Sequence, residues 1–157
     1  MQANWRTAAS ATVHCLTGCA IGEVLGMIIG TAMNWHGAVV VALSVFLAFV
    51  FGYSLSLLPM LKAGLTLAAA LPIAFAADTL SITTMEIVDN AVMVLIPGAM
   101  GAGLANMAFW TSMAVALAAA FVAALPVNYF LIKRGLGHAV AHRFHGHHDH
   151  EDHQSHH

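Results

Sequence analysis

From Ala91 to Ile132 the chain carries no charged side chain, and from Trp35 to Leu61 it carries none either. A soluble domain has about a quarter of its residues charged. Here 8% are charged and 60% hydrophobic over 157 residues. A water-soluble fold of this length needs polar side chains over most of its surface, and too few are present. Lipid is therefore the expected solvent, and one domain the expected count.

A spanning helix needs about 20 largely apolar residues. The first candidate runs from about Ala8 to Met33 and ends in the turn Asn34-Trp35-His36-Gly37. The second runs from Ala38 to Leu58, and Pro59 and Gly64 bracket a connection holding Lys62. The apolar stretch from Leu65 to Ile96 would be about 48 Å long as one helix, against a hydrocarbon core of about 30 Å. The expectation is an interfacial segment over Leu65–Leu71 and a span over residues 72–96, with Pro72 in its first turn. Pro97, Gly98, Gly101, Gly103 and Asn106 mark a loop. The last span is expected over residues 107–132, kinked near its end by Pro126. The fold class is thus all-α: a bundle of four transmembrane helices in residues 1–137, followed by a histidine-rich tail in residues 138–157.

With four spans, Arg6, Lys62, Lys133, Arg134 and Arg143 all fall on one side of the membrane. The positive-inside rule then places both termini in the cytoplasm. Trp5, Trp35, Phe109 and Trp110 sit near span ends, as interfacial aromatics do. The expected location is the inner membrane of a bacterial or archaeal cell. Leu16-Thr17-Gly18-Cys19 has the shape of a lipoprotein cleavage site, but the residues before it (Ser10, Thr12, His14, Cys15) are weakly apolar for that role. The first apolar run also continues to Met33 without a signal-peptide cleavage site.

Two stripes run along the first helix. Gly18, Gly22, Gly26 and Gly30 recur every four residues, an extended small-residue pattern that lets another helix approach closely. Beside it, Cys15, Cys19, Glu23 and Met27 also step by four and stack along one face. The i, i+4 cysteines are badly placed for a disulfide. They read either as soft metal ligands, suited to Cu(I) or Zn, or as small buried packing residues. His14 and Cys15 point about 100° apart on one helix, so they do not form a catalytic pair.

The third span holds Asp78, Ser81, Thr84, Glu86, Asp89 and Asn90. No lysine or arginine lies inside any expected span, so Glu23, Asp78, Glu86 and Asp89 have no cationic partner there. Bare carboxylates are untenable in lipid. They are protonated, share protons, face water or bind a cation. Helices one and three are expected to face each other around a cation or proton site. The bland reading is a seam of protonated acids and hydroxyls that fixes helix packing. Intramembrane acids favour the functional one.

The tail contains nine of the eleven histidines (His138, His142, His145, His147, His148, His150, His153, His156 and His157), interleaved with Asp149, Glu151 and Asp152. It has nothing to build a core from and is expected to be disordered. Imidazole with carboxylate suits Zn, Ni, Co or Cu(II). The plain alternative is a solubilising, pH-responsive tail.

His14-Cys15-x-x-Gly18-Cys19-x-x-Gly22-Glu23, with Ala77-Asp78-Thr79-Leu80-Ser81 and Met85-Glu86-Ile87-Val88-Asp89-Asn90, resembles a prokaryotic family of small membrane proteins catalogued only as a domain of unknown function. The resemblance extends from about Thr12 to Gly137. It implies a multi-span membrane protein and supplies no substrate.

No Walker loop, dinucleotide fingerprint, nucleophile elbow or HExxH is present, so an enzyme is not expected. Nor is a nucleic-acid partner. The expected function is transport or handling of a transition-metal cation (Cu, Zn, Ni or Co). Its ligands would be Cys15, Cys19, Glu23, Met27, Asp78, Glu86 and Asp89, with His14, Ser81, Thr84 and Asn90 as accessory polar groups. The alternatives are a proton-coupled or alkali-cation carrier using the carboxylates alone, and a redox or metal-buffering accessory protein. Four helices leave little room for a pore, so a conducting form would be a homo-oligomer.

Overall fold

Each helix ends where the sequence supplies a residue able to reverse the chain. α1 (Trp5–Ala32) stops at Asn34, which takes a left-handed φ of 56°. There the Asn34 amide donates to the Thr31 carbonyl and the Trp35 amide to the Gly30 carbonyl, at 3.2 and 2.8 Å. These two bonds form a Schellman closure. α2 (Ala38–Lys62) ends in the same way at Gly64, φ 87°. The Leu65 amide reaches back to the Met60 carbonyl, and the Leu65 and Met60 side chains share a buried cluster, the apolar contact such a cap favours. α3 (Leu67–Leu95) and α4 (Met107–Lys133) complete the bundle; Asn106 caps α4 by accepting from the Ala108 amide at 2.9 Å. The computed structural model describes residues 5–62, 64–99 and 101–134. The tail expected from residue 138 lies outside them.

Among the described residues the protein is all-helical, and all four helices are long and apolar enough to cross a membrane. Connections of five residues after α1, four after α2 and eleven after α3 turn each helix back on the one before it. The loops around residues 34–37 and 96–106 therefore share one end of the bundle, and the basic positions 6, 62, 133 and 134 share the other. α1 packs most extensively on α2, and α3 on α4. α1 also meets α4 and, over a shorter stretch, α3.

Two boundaries differ from expectation. α2 runs through Pro59 to Lys62, and α3 begins at Leu67 with Pro72 inside it. Leu65–Leu71 is therefore mostly helix. Ala68, Ala69 and Ala70 are strong helix formers, and the Ala69 and Ala70 amides both bond the Thr66 carbonyl. Ala70 is fully buried against Met60 and Leu65. That packing outweighs the one backbone bond that Pro72 removes. At 29 residues the helix is about 43 Å long, which a bilayer accommodates by tilt or by letting the first turns project.

The glycine stripe seats α1 on α2. A Cβ at Gly18 would lie 2.6 Å from the Gly52 Cα. One at Gly22 would fall on the backbone of Ala48, one at Gly26 on Ser44, and one at Gly30 on the Val40 side chain. The opposing residues, Val40, Ser44, Ala48 and Gly52, also step by four. Lipid supplies no hydrophobic drive between helices, so this backbone-level contact is what holds the pair.

At the basic end α1 is tied to α4. The Asn128 Nδ2 donates to the Thr12 Oγ1 at 2.8 Å, Thr12 donates to the Ala8 carbonyl at 2.7 Å, and the rings of Trp5 and Tyr129 stack 4.2 Å apart. Interhelical hydrogen bonds in membranes contribute about 0.6–1.7 kcal/mol. Thr12→Val should lower stability by roughly that amount, measured by thermal unfolding in detergent.

Candidate cation site

The second stripe of α1 lies beside the glycines and turns inward. Cys15 and Cys19 are buried at 2% exposure, and Glu23 is 7% exposed. From α3, Glu86 and Asp89 enter the same interior, each 5% exposed. They stand at i and i+3, so they share one face of the helix. Glu23 neighbours both Asp89 and Glu86 across the α1–α3 contact, and Cys19 neighbours Glu86 and Cys15. Helices one and three thus do meet, at the level of the acids.

Glu23 and Asp89 face each other, and Cys19 faces Glu86. Beyond these contacts one oxygen of Glu23, both of Glu86 and one of Asp89 are buried without a geometrically formed hydrogen bond, as are one oxygen of Asp78 and the Ser81 hydroxyl. A buried polar group left unpaired costs about 1–3 kcal/mol. Among the described residues, lysine and arginine occur only at positions 6, 62, 133 and 134, at helix ends.

A cavity of about 350 Å³ reaches Glu23 and Asp89 from the loop end, and Glu86 is not among the residues that line it. At the loop end it is lined by Trp35, His36 and Gly37 on one side and by Ala99, Gly101, Ala102 and Gly103 on the other, and its walls include Glu23, Asp89 and Asn90. Ser44 also lines it and donates to the Glu23 carbonyl at 3.4 Å. The Asn128–Thr12 bond and the Trp5–Tyr129 stack lie toward the other end of the bundle.

The remaining residues expected at the site divide cleanly. Met27 lines the cavity. Asn90 also lines it and donates to the Glu86 carbonyl at 2.9 Å. Asp78 does not join the other acids. It stands 11 residues before Asp89, about 16 Å along the helix, beside Ser56 of α2. Thr84 spends its hydroxyl on the Leu80 carbonyl, and His14 faces outward against the Ser10 carbonyl. Among the described residues no group of three or more His, Cys, Asp and Glu side chains is arranged to hold a metal ion. The residues not anticipated are Ser44, Phe109, Met113, Ala99, Gly101, Ala102 and Gly103, all lining the cavity; Met93, which helical spacing puts broadly on the side of α3 that carries the acids, lines it as well. Ser44 stands opposite Gly26 at the fourfold spacing, a signal readable once the partner of the glycine stripe is known.

A family model described as a domain of unknown function, DUF4396, matches residues 4–137. No curated protein matches the chain, and no solved structure does.

Proposed function

Since the chain belongs to the DUF4396 family, whose description assigns no activity, we propose a function from the site itself: the protein carries a small metal cation through the membrane, with Glu23, Glu86 and Asp89 as its intramembrane binding groups. The observation that carries this reading is the pair of buried carboxyl groups, Glu23 and Asp89, each with an unpartnered oxygen, on the wall of one cavity, with Glu86 adjoining Glu23. A cation entering from the loop end finds acceptors with no competing lysine or arginine. Intramembrane acids that serve only packing have partners, because unsatisfied polar groups in hydrocarbon are expensive. With both termini in the cytoplasm, the cavity faces outward and loads from outside the cell.

One observation speaks against a chelated Zn, Ni or Co ion. It is the lack, among the described residues, of any three-ligand cluster of His, Cys, Asp and Glu. The protein acts by binding and release and performs no bond chemistry of its own.

The test is uptake into proteoliposomes containing the full-length protein, with internal K⁺, Na⁺, Zn²⁺ and Ag⁺ measured by elemental analysis. At least one ion should accumulate above the level of empty vesicles. Glu23→Gln with Asp89→Asn should return it to that level, and Asp78→Asn should leave it unchanged. Uptake equal to empty vesicles for all four ions would sink the proposal.

A further inference from the structure

The cavity wall holds three methionines, one from each of three helices: Met27 of α1, Met93 of α3 and Met113 of α4. Met93 and Met113 are 8% and 5% exposed and belong to one packed cluster, against which Met27 also packs. All three line the same cavity as Glu23 and Asp89. Methionine is common in membrane interiors and fills gaps, so any one of these thioethers is unremarked packing. Their convergence from separate helices on one cavity, whose wall also holds Glu23 and Asp89 with their unpartnered buried oxygens, is what calls for a ligand.

We propose that Met27, Met93 and Met113 form a thioether site for a soft monovalent metal ion, Cu(I) or its analogue Ag(I), lying next to the Glu23 and Asp89 carboxyl groups. Thioether sulfur selects Cu(I) and disfavours Zn, Mg, Ca and the alkali ions. Thioethers are neutral, so they bind without giving up a proton, in contrast to thiols, imidazolium and carboxylic acids. Three neutral donors leave the ion's positive charge uncompensated in a low-dielectric interior. Glu23 and Asp89 supply that counter-charge from the adjoining wall. The division of labour accounts for two facts together: the sulfurs that define the ion's identity lack charge, and the acids lack a cation. The site rests on the cation-carrying reading above and names the class of ion.

Cu(I) binding to the full-length protein in nanodiscs, under anaerobic conditions in competition with a chromogenic Cu(I) chelator, tests it. The tail histidines are common to every variant, so differences report the bundle. The wild type should hold one more tight Cu(I) per chain than Met27→Leu/Met93→Leu/Met113→Leu. X-ray absorption should show sulfur neighbours in the wild type and in Cys15→Ser/Cys19→Ser, and none in the triple leucine variant. Met27→Leu and Met113→Leu singly keep the side-chain volume and should each weaken binding at least roughly tenfold, which keeps the test valid should the triple variant misfold. Equal Cu(I) binding in the wild type and the leucine variants, or loss of the sulfur signal in the cysteine variant, overturns the site. Methionine-dependent Cu(I) binding without uptake of any ion would retain this site and reject the carrier. K⁺ uptake with Cu(I) binding indifferent to the methionines would do the reverse.

Discussion

Gly22→Leu is expected to abolish the α1–α2 pair and with it the folded protein. A Cβ at position 22 meets the Ala48 amide nitrogen and Cα, which belong to the backbone of α2. No rotamer change relieves that contact; the helices have to separate. Overpacking a well-packed interior costs about 1–3 kcal/mol, and a collision with backbone belongs at or above the top of that range. Separation also removes the close approach at Gly18 and Gly26, because all three sit on one face. The variant should be recovered as aggregate, or melt far below the wild type in detergent. A second pair of variants isolates the cause. Ala48→Gly should fail to rescue Gly22→Leu, because the obstruction is backbone and not the Ala48 methyl. At Gly30 the obstruction is the Val40 side chain, so Gly30→Ala should cost less, and Val40→Ala should restore it. Rescue at position 22 by Ala48→Gly would show the contact to be side-chain packing.

Glu86→Met should make the protein more stable while the bundle keeps its fold. Both carboxyl oxygens of Glu86 are buried and unpartnered, and Met85 and Ile82 beside it already form apolar core with Cys19. Replacing an unsatisfied buried polar side chain with an apolar one of similar size removes a penalty of about 1–3 kcal/mol. The expected rise in thermal midpoint separates two roles for the acids. A polar seam that fixes packing would lose stability on this change, as the hydrogen-bonded Thr12 should with Thr12→Val. A binding group held ready without a partner gains stability and loses function, the trade seen where sites are strained or unsatisfied. The same protein measured for ion uptake should be impaired.

How far the sequence carries can be judged residue by residue. The four spans follow from charge scarcity, because hydrocarbon leaves the backbone little choice beyond helices. The inward face of α1 is legible because two fourfold stripes lie side by side, and only one can take the backbone contact. Glu23, Glu86 and Asp89 are marked by cost alone: a carboxyl group at that depth does not persist without reason. Asp78 bears the same mark and still falls elsewhere, since 11 residues amount to almost exactly three helical turns plus a lateral neighbour on α2 that no spacing rule predicts. The start of α3 was obscured by Pro72, whose cost is local while the compensating burial of Ala70 is tertiary. Met93 and Met113 carry no signal in isolation. A methionine in an apolar span has the look of any core residue until three helices bring three of them to one wall.

The glycine contact that fuses α1 to α2 has a mechanical consequence. α1 with α2 and α3 with α4 form two hairpins, which meet through α1–α4, α2–α3 and, over a shorter stretch, α1–α3 contacts. Glu23 belongs to the first hairpin, and Glu86 and Asp89 belong to the second. The same division separates the thioethers, with Met27 on one hairpin and Met93 and Met113 on the other. A small rocking of one hairpin against the other changes the spacing of Glu23 from Glu86 and Asp89, and of Met27 from Met93 and Met113, together. An ion held between them as proposed would tie its own coordination to the angle between the hairpins, so that whatever sets one sets the other.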